Sequence, residues 1–206
     1  MATPNSTSLG LFPLTSTVLP GGRMQLRVYE PRYLRLVRES LREQTGFGLC
    51  MLNPNGDRDQ NTHVYKVGTL VRIIDFETLP DGYLGITILG ERLFEIDEIE
   101  TESDGLRRGH VHFKSPAASI PMTDSEVWAH ELKQRLEEVF NNYPEIARLY
   151  PDRNFEDPTW VCNRWLELLP LPGEVKQDLL SENNFSQMLA YLAQLFAENE
   201  QQNELN

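Results

Sequence analysis

The spacing of apolar and polar residues changes period along this chain, and the changes mark out its elements. Met24-Gln25-Leu26-Arg27-Val28 alternates as a half-buried strand does. Pro31 then stands where a helix accepts proline, in its first turn. The spacing predicts a helix from about Glu30 to Arg42, with Tyr33, Leu34, Val37 and Leu41 on one face. Arg32, Arg35, Arg38 and Arg42 fall on the other faces and read as a solvated row. From Phe47 to about Phe113 the pattern becomes β-rich, with the apolar runs Phe47–Leu52, Leu70–Phe76 and Leu84–Leu89 separated by turn residues. Such short runs predict a closed or nearly closed sheet.

Two connections stand out. Pro80-Asp81-Gly82 joins a preset φ to a residue free to take positive φ, and predicts a turn between strands. The polar run from Asn53 to Asn61 reads as a mobile loop. After Pro121 the period turns helical. Thr123-Asp124-Ser125-Glu126 has the form of a reciprocal cap, and Val127, Leu132, Leu136, Val139 and Phe140 make an amphipathic stripe. Asp157-Pro158 opens another helix carrying Trp160, Val161, Trp165, Leu166 and Leu169, which stops at Pro170-Leu171-Pro172. A short helix through Val175, Leu179 and Leu180 precedes a last one from Asn184, with Phe185, Met188, Leu189, Leu192, Leu195 and Phe196 on one stripe. Residues 199–206 read as a frayed tail.

Charge narrows the choice of partner. The net charge of −12 is uneven: residues 1–50 hold six Arg against three Glu, whereas residues 123–206 hold six basic against sixteen acidic residues. A nucleic-acid ligand asks for a basic face, so this balance counts against one, with the N-terminal arginines as the exception. No run approaches the ~18 apolar residues of a membrane span, and the N-terminus lacks a secretion-signal pattern, so the expectation is a cytoplasmic protein with no membrane partner. Cys50 and Cys162, far apart in an intracellular chain, read as two buried reduced thiols.

Several blocks, taken together, resemble one family. Leu11-Phe12-Pro13-Leu14, Val18-Leu19-Pro20-Gly21-Gly22 and Leu26-Arg27-Val28-Tyr29-Glu30-Pro31-Arg32-Tyr33 are similar to the opening of the Lon protease N-terminal, substrate-binding domain, with Tyr29 where phenylalanine is usual. Val67-Gly68-Thr69, Leu79-Pro80-Asp81-Gly82 and Gly90-Glu91-Arg92-Leu93-Phe94 follow in the family's order. Trp165–Leu171 and Lys176–Leu180 resemble its later helices. One departure is that the family's arginine three residues after the glycine is replaced here by Leu93, with Arg92 one place earlier. The resemblance implies an α+β fold: a PUA-like small β-barrel with a packed helix over residues 8–118, then a C-terminal α-helical bundle over residues 122–198.

The chain carries no G-x-x-x-x-G-K-[ST] loop and no G-x-S-x-G elbow, so neither ATP hydrolysis nor peptide cleavage is assigned, and no cofactor is expected. His110 and His112 share a strand face but offer only two ligands where zinc asks for three or four, and they read, with His63 and His130, as surface or structural residues. Asp75/Glu77 and Glu95/Asp97 read as solvent-facing alternates, and Trp160 and Trp165 as core. Glu30 and Arg32 read as capping and bracing the strand-to-helix turn.

The resemblance implies a non-catalytic module that binds unfolded or apolar protein segments, as an adaptor or recruiter, with homodimerisation as a further expectation. The candidate peptide-binding residues are Tyr29, Glu30, Arg32, Tyr33, Arg92 and Leu93. The alternative is RNA or nucleotide binding through a PUA-like barrel, using Arg23, Arg27, Arg32, Arg35, Arg38 and Arg42.

Overall fold

The computed structural model describes residues 7–115 and 126–204. The chain divides into two compact units at Ser115/Pro116.

Among its described residues the first unit holds six strands, β1 (Thr7–Leu14), β2 (Arg23–Val28), β3 (Phe47–Leu52), β4 (Val64–Thr78), β5 (Leu84–Thr101) and β6 (Arg107–Phe113), and one helix, α1 (Pro31–Glu43). Their order is β2-β5-β4-β3-β1-β6, and β6 pairs again with β5, so the pairing runs round from β5 back to itself with β2 attached outside that circuit. The length of β5 makes this possible. On one edge its first half, Leu84–Leu89, pairs with β2, and its second half, Phe94–Thr101, pairs with β6 across an irregularity at Ile96/Glu98. Strands β1 and β3 run parallel, and the other pairings among the described residues are antiparallel.

Both sides of the strands are apolar, which explains why Phe47–Leu52 is a continuous run rather than an alternating one. Leu11 and Phe12 are adjacent in β1 yet enter different clusters, as do Leu49 and Cys50 in β3, because successive side chains leave opposite faces. Pro13 lies past the end of the β1–β6 pairing, where its missing amide costs no ladder bond. Phe94, fully buried, crosses two strands at once: a Cβ on Gly48 would meet its ring at 2.8 Å, and one on Gly68 at 2.5 Å. A Cβ on Gly90 would lie 2.2 Å from the Leu19 carbonyl. The glycines of the Val67-Gly68-Thr69 and Gly90-Glu91-Arg92 blocks are therefore places of close approach.

Helix α1 packs against β3 and β4. Its buried residues are Leu36, Val37 and Ser40, and Leu41 is 42% exposed. Of the expected face, Val37 is buried and Tyr33 and Leu34 pack against the same core, so the correction is confined to Leu41, whose place is taken by Leu36. Arcs of about 100° per residue run through either leucine, and the packing selects Leu36, which a Cβ on Gly10 would meet at 2.3 Å. Burying Leu36 and Val37 contributes roughly 1.5–3 kcal/mol each. The Pro80-Asp81-Gly82 turn forms as expected: the Gly82 amide donates to the Leu79 carbonyl at 2.8 Å, Gly82 has φ 84°, and Leu79 and Tyr83 close a three-residue hairpin. The segment read as a loop forms no helix or strand and is densely hydrogen-bonded. Asn53 and Asp57 each accept amides two residues on, and the Asp57 amide and carbonyl both meet Thr62.

The second unit contains α2 (Glu126–Asn142), α3 (Pro144–Arg148), α4 (Pro158–Leu168), α5 (Gly173–Glu182) and α6 (Phe185–Glu204). The cap expected at Thr123-Asp124-Ser125 lies outside the described residues. In α2, Leu132, Leu136 and Phe140 are buried, whereas Val127 is 73% exposed and does not join the stripe. Asp157 caps α4 by accepting from the Thr159 amide. Helix α6 continues to Glu204, so the tail expected from residue 199 is helical backbone to that point. No Gly or Pro interrupts the stretch. Trp160 and Trp165 are core residues, and the Trp165 indole donates to the Leu132 carbonyl at 3.0 Å. The Arg164 guanidinium is almost wholly buried, doubly bonded to Glu167 and lying over the Tyr150 and Trp160 rings.

Candidate functional site

A cleft of about 330 Å³ opens in the first unit where β2 runs into α1. The turn is short: Val28 ends the strand, Glu30 is the N-cap and Pro31 the first helical residue. Tyr29, Glu30, Arg32 and Tyr33 all line this cleft. Glu30 makes no capping bond through its side chain, so the capping part of its expected role is not met. The bracing part is, since its carboxylate accepts from Arg32 at 2.5 Å. Arg32 reaches further, donating to the Gly105 carbonyl at 3.3 Å and lying over the Tyr33 ring at 5.0 Å. Tyr33 stacks on Phe12 at 4.3 Å, and burial pushes its phenol above the ordinary value, with Arg32 opposing the shift.

Tyr29 is 62% exposed and meets the 44% exposed Tyr83 edge-on at 6.2 Å. The Arg27 guanidinium lies over Tyr83 at 4.5 Å and pairs with Asp81 at 2.8 Å. An aromatic pair thus flanks the cleft, next to β2, whose pairing among the described residues is to β5 alone.

Arg92 and Leu93 are not part of this cleft. The Arg92 guanidinium lies over Phe113 at 4.4 Å, and Leu93 sits opposite Thr69 in the β4–β5 pairing, its carbonyl accepting from the Lys114 amide. Four of the six candidates come together and two stand elsewhere.

The far wall was invisible in the sequence. His63, Arg58, Gly105 and Arg107 complete the lining, contributed by the 53–63 connection and by the β5–β6 turn. His63 is 7% exposed, and its Nδ1 is a buried atom without a hydrogen-bond partner. Burial, then the charges of Arg107 and Arg58, hold its pKa below the ordinary value. Arg107 donates to Asn61 Oδ1 and to the carbonyls of Gly105 and Arg58, all uncharged acceptors.

The arginine row, by contrast, is largely neutralised. Arg35 bonds Glu39, Glu102 and Asp104, and Arg42 pairs with Glu43. His112 and His110 face the acids of β5, with His112 Nδ1 3.0 Å from Asp97 and His110 Nε2 3.5 Å from Glu100. Among the described residues no group of three or more His, Cys, Asp or Glu could hold a metal ion. Cys50 and Cys162 are free and buried, and burial pushes both thiols up to about 12.

The model of the ATP-dependent protease La (LON) substrate-binding domain matches residues 8–198. The chain belongs to the Lon substrate-binding domain family. A Lon N-terminal domain protein from Xanthomonas campestris is similar at 32% identity and a TM-score of 0.71, covering 90% of this chain and 96% of that one. The N-terminal domain of a Mycobacterium avium complex Lon protease shares the fold at 16% identity and a TM-score of 0.61. The Lon protease of Flavobacterium johnsoniae is 25% identical over 187 residues. That region is 87% of this chain and 22% of the relative, so the chain spans under a quarter of that Lon protease. No helix among the described residues is long and apolar enough to cross a membrane.

Proposed function

We propose that this Lon-type domain is a non-catalytic recruiter, binding unfolded or apolar segments of other proteins in the cytoplasm at the β2–α1 turn. In this reading the circuit of strands is a PUA-like barrel, the second unit is a helical bundle, and two copies of the chain form a homodimer. The observation that carries it is the exposed Tyr29–Tyr83 pair flanking the cleft. Aromatic side chains combine a large apolar face with a polar tip and dominate protein contacts when they stand free at a surface. Beside them, the outer edge of β2 offers amides and carbonyls to an extended segment.

The test is capture of a permanently unfolded, reduced and alkylated model protein by the chain and by a Tyr29→Ala/Tyr83→Ala variant. The variant is expected to bind about tenfold more weakly, the loss of one strong aromatic contact, with an unchanged melting temperature. Equal binding by both would sink the assignment to this surface. Preferential, salt-sensitive retention of RNA would favour the nucleic-acid reading instead.

A further inference from the structure

We propose that the cleft beside Tyr29 binds a carboxylate of an extended protein segment on the guanidinium groups of Arg58 and Arg107, next to the buried imidazole of His63. This rests on the recruiter reading and names the chemistry its site would take.

The charges in the cleft do not balance. Its lining carries Arg27, Arg32, Arg58 and Arg107 against the single acid Glu30. Arg27 is paired with Asp81 and Arg32 with Glu30. Arg107 meets only neutral acceptors, and the Arg58 guanidinium has no partner among the described residues. Two positive charges therefore stand without a counter-charge in a chain whose net charge is −12. Burial, and after it the charges of Arg107 and Arg58, disfavour the protonated form of His63 beside them. Its unpartnered Nδ1 is a second unmet polar group at the same place, and buried polar groups are normally satisfied. An anion with two acceptor oxygens answers both charges, and in the tautomer that carries its proton on Nδ1 it answers the His63 ring as well; guanidinium groups favour carboxylates through paired hydrogen bonds.

A carboxylate fits better than a phosphate chain. The cleft is small, about 330 Å³, and the remaining lining includes Phe12, Leu14, Val28 and Leu52. Apolar neighbours of the acid would be accommodated there. A polyanion would be repelled by the acidic surface of the rest of the chain.

The experiment uses the whole 206-residue chain and three dye-labelled apolar pentapeptides, followed by fluorescence anisotropy. One has a free C-terminus, one an amidated C-terminus, and one an amidated C-terminus with an internal glutamate. The free acid is expected to bind about tenfold more tightly than the plain amide, the scale of one charged hydrogen-bonded contact. Arg58→Gln should abolish that difference. Arg107→Gln should do so too, but Arg107 also braces its loop, whereas among the described residues no hydrogen bond or ion pair ties the Arg58 side chain to the fold. Binding of the free acid should raise the His63 pKa, read from its imidazole signals in an NMR titration. If the internal glutamate matches the free acid, the carboxylate comes from a side chain; if only the free acid binds tightly, it comes from a chain terminus, and both results support the site. Equal affinity for acid and plain amide, or discrimination surviving Arg58→Gln, would overturn it. If the amide and the unfolded protein are still captured, the recruiter reading survives that loss; if none of the ligands binds, both fall. Displacement of the free acid by inorganic phosphate at far lower concentration than by acetate would replace the carboxylate with a phosphate ligand.

Discussion

Arg35 of α1 holds Asp104 of the β5–β6 turn with two parallel hydrogen bonds, Nε to Oδ2 at 2.8 Å and Nη2 to Oδ1 at 2.9 Å. The same guanidinium also bonds Glu39 and Glu102, and Arg108 reaches Glu102 and Glu39 from β6. This network ties the helix to the turn that supplies Gly105 and Arg107 to the cleft. Bidentate pairing fixes direction as well as distance, so the network positions the cleft wall.

Arg35→Gln should lower unfolding stability by about 1 kcal/mol, a value kept small because the side chains are one-third exposed. Urea unfolding of Arg35→Gln, Asp104→Asn and the double variant checks it. A coupling energy near zero would reduce the pair to a surface decoration.

Acid should loosen the same network. Hydrogen bonds from Arg108 and then Arg35 hold the Glu102 carboxyl below its ordinary value of 4.5, and bonds from Arg35 and the Leu106 amide hold Asp104 below 3.8. A carboxylate whose folded pKa is depressed stabilises the fold above its unfolded value and loses that stabilisation as pH falls through the folded one. Stability should therefore decline from just above pH ~4.5 downwards, and Arg35→Gln should flatten the decline. Carbon-detected NMR titration of the two carboxyls reads the shifts directly.

Gly68→Ala should be among the most damaging single-methyl changes, costing about 2–3 kcal/mol, because the new Cβ meets the Phe94 ring at 2.5 Å and the Leu49 carbonyl at 2.8 Å. Gly82→Ala has open space, with nothing within 4 Å, and should cost only about 1 kcal/mol for its positive φ. Thermal melting of the two variants separates crowding from backbone strain; equal losses would contradict the packing described for Phe94.

In the helical unit, Trp165→Phe should destabilise by about 1–2 kcal/mol, since it removes the indole hydrogen bond to the Leu132 carbonyl and replaces a buried indole by a smaller ring. Chemical unfolding followed by circular dichroism tests it, and a neutral substitution would mean that the indole bond contributes nothing to stability.

Local sequence determined the elements. Alternation in Met24–Val28, the proline at position 31, the Pro80-Asp81-Gly82 turn and the Asp157-Pro158 start each act within a few residues, and each is where the pattern placed it. The ordered motif blocks likewise carried the family. Which face of α1 is buried was not decided locally, because two overlapping arcs of apolar residues serve equally until a sheet surface chooses Leu36 over Leu41. The cleft was still less legible. Arg32 and Gly105 are 73 positions apart and Arg58 and Arg107 49 apart, and they meet only because β5 is long enough to pair with β2, β4 and β6 at once. Periodicity reports the environment of one element, whereas a charge without a counter-charge belongs to several elements together, and only the tertiary structure brings them within reach.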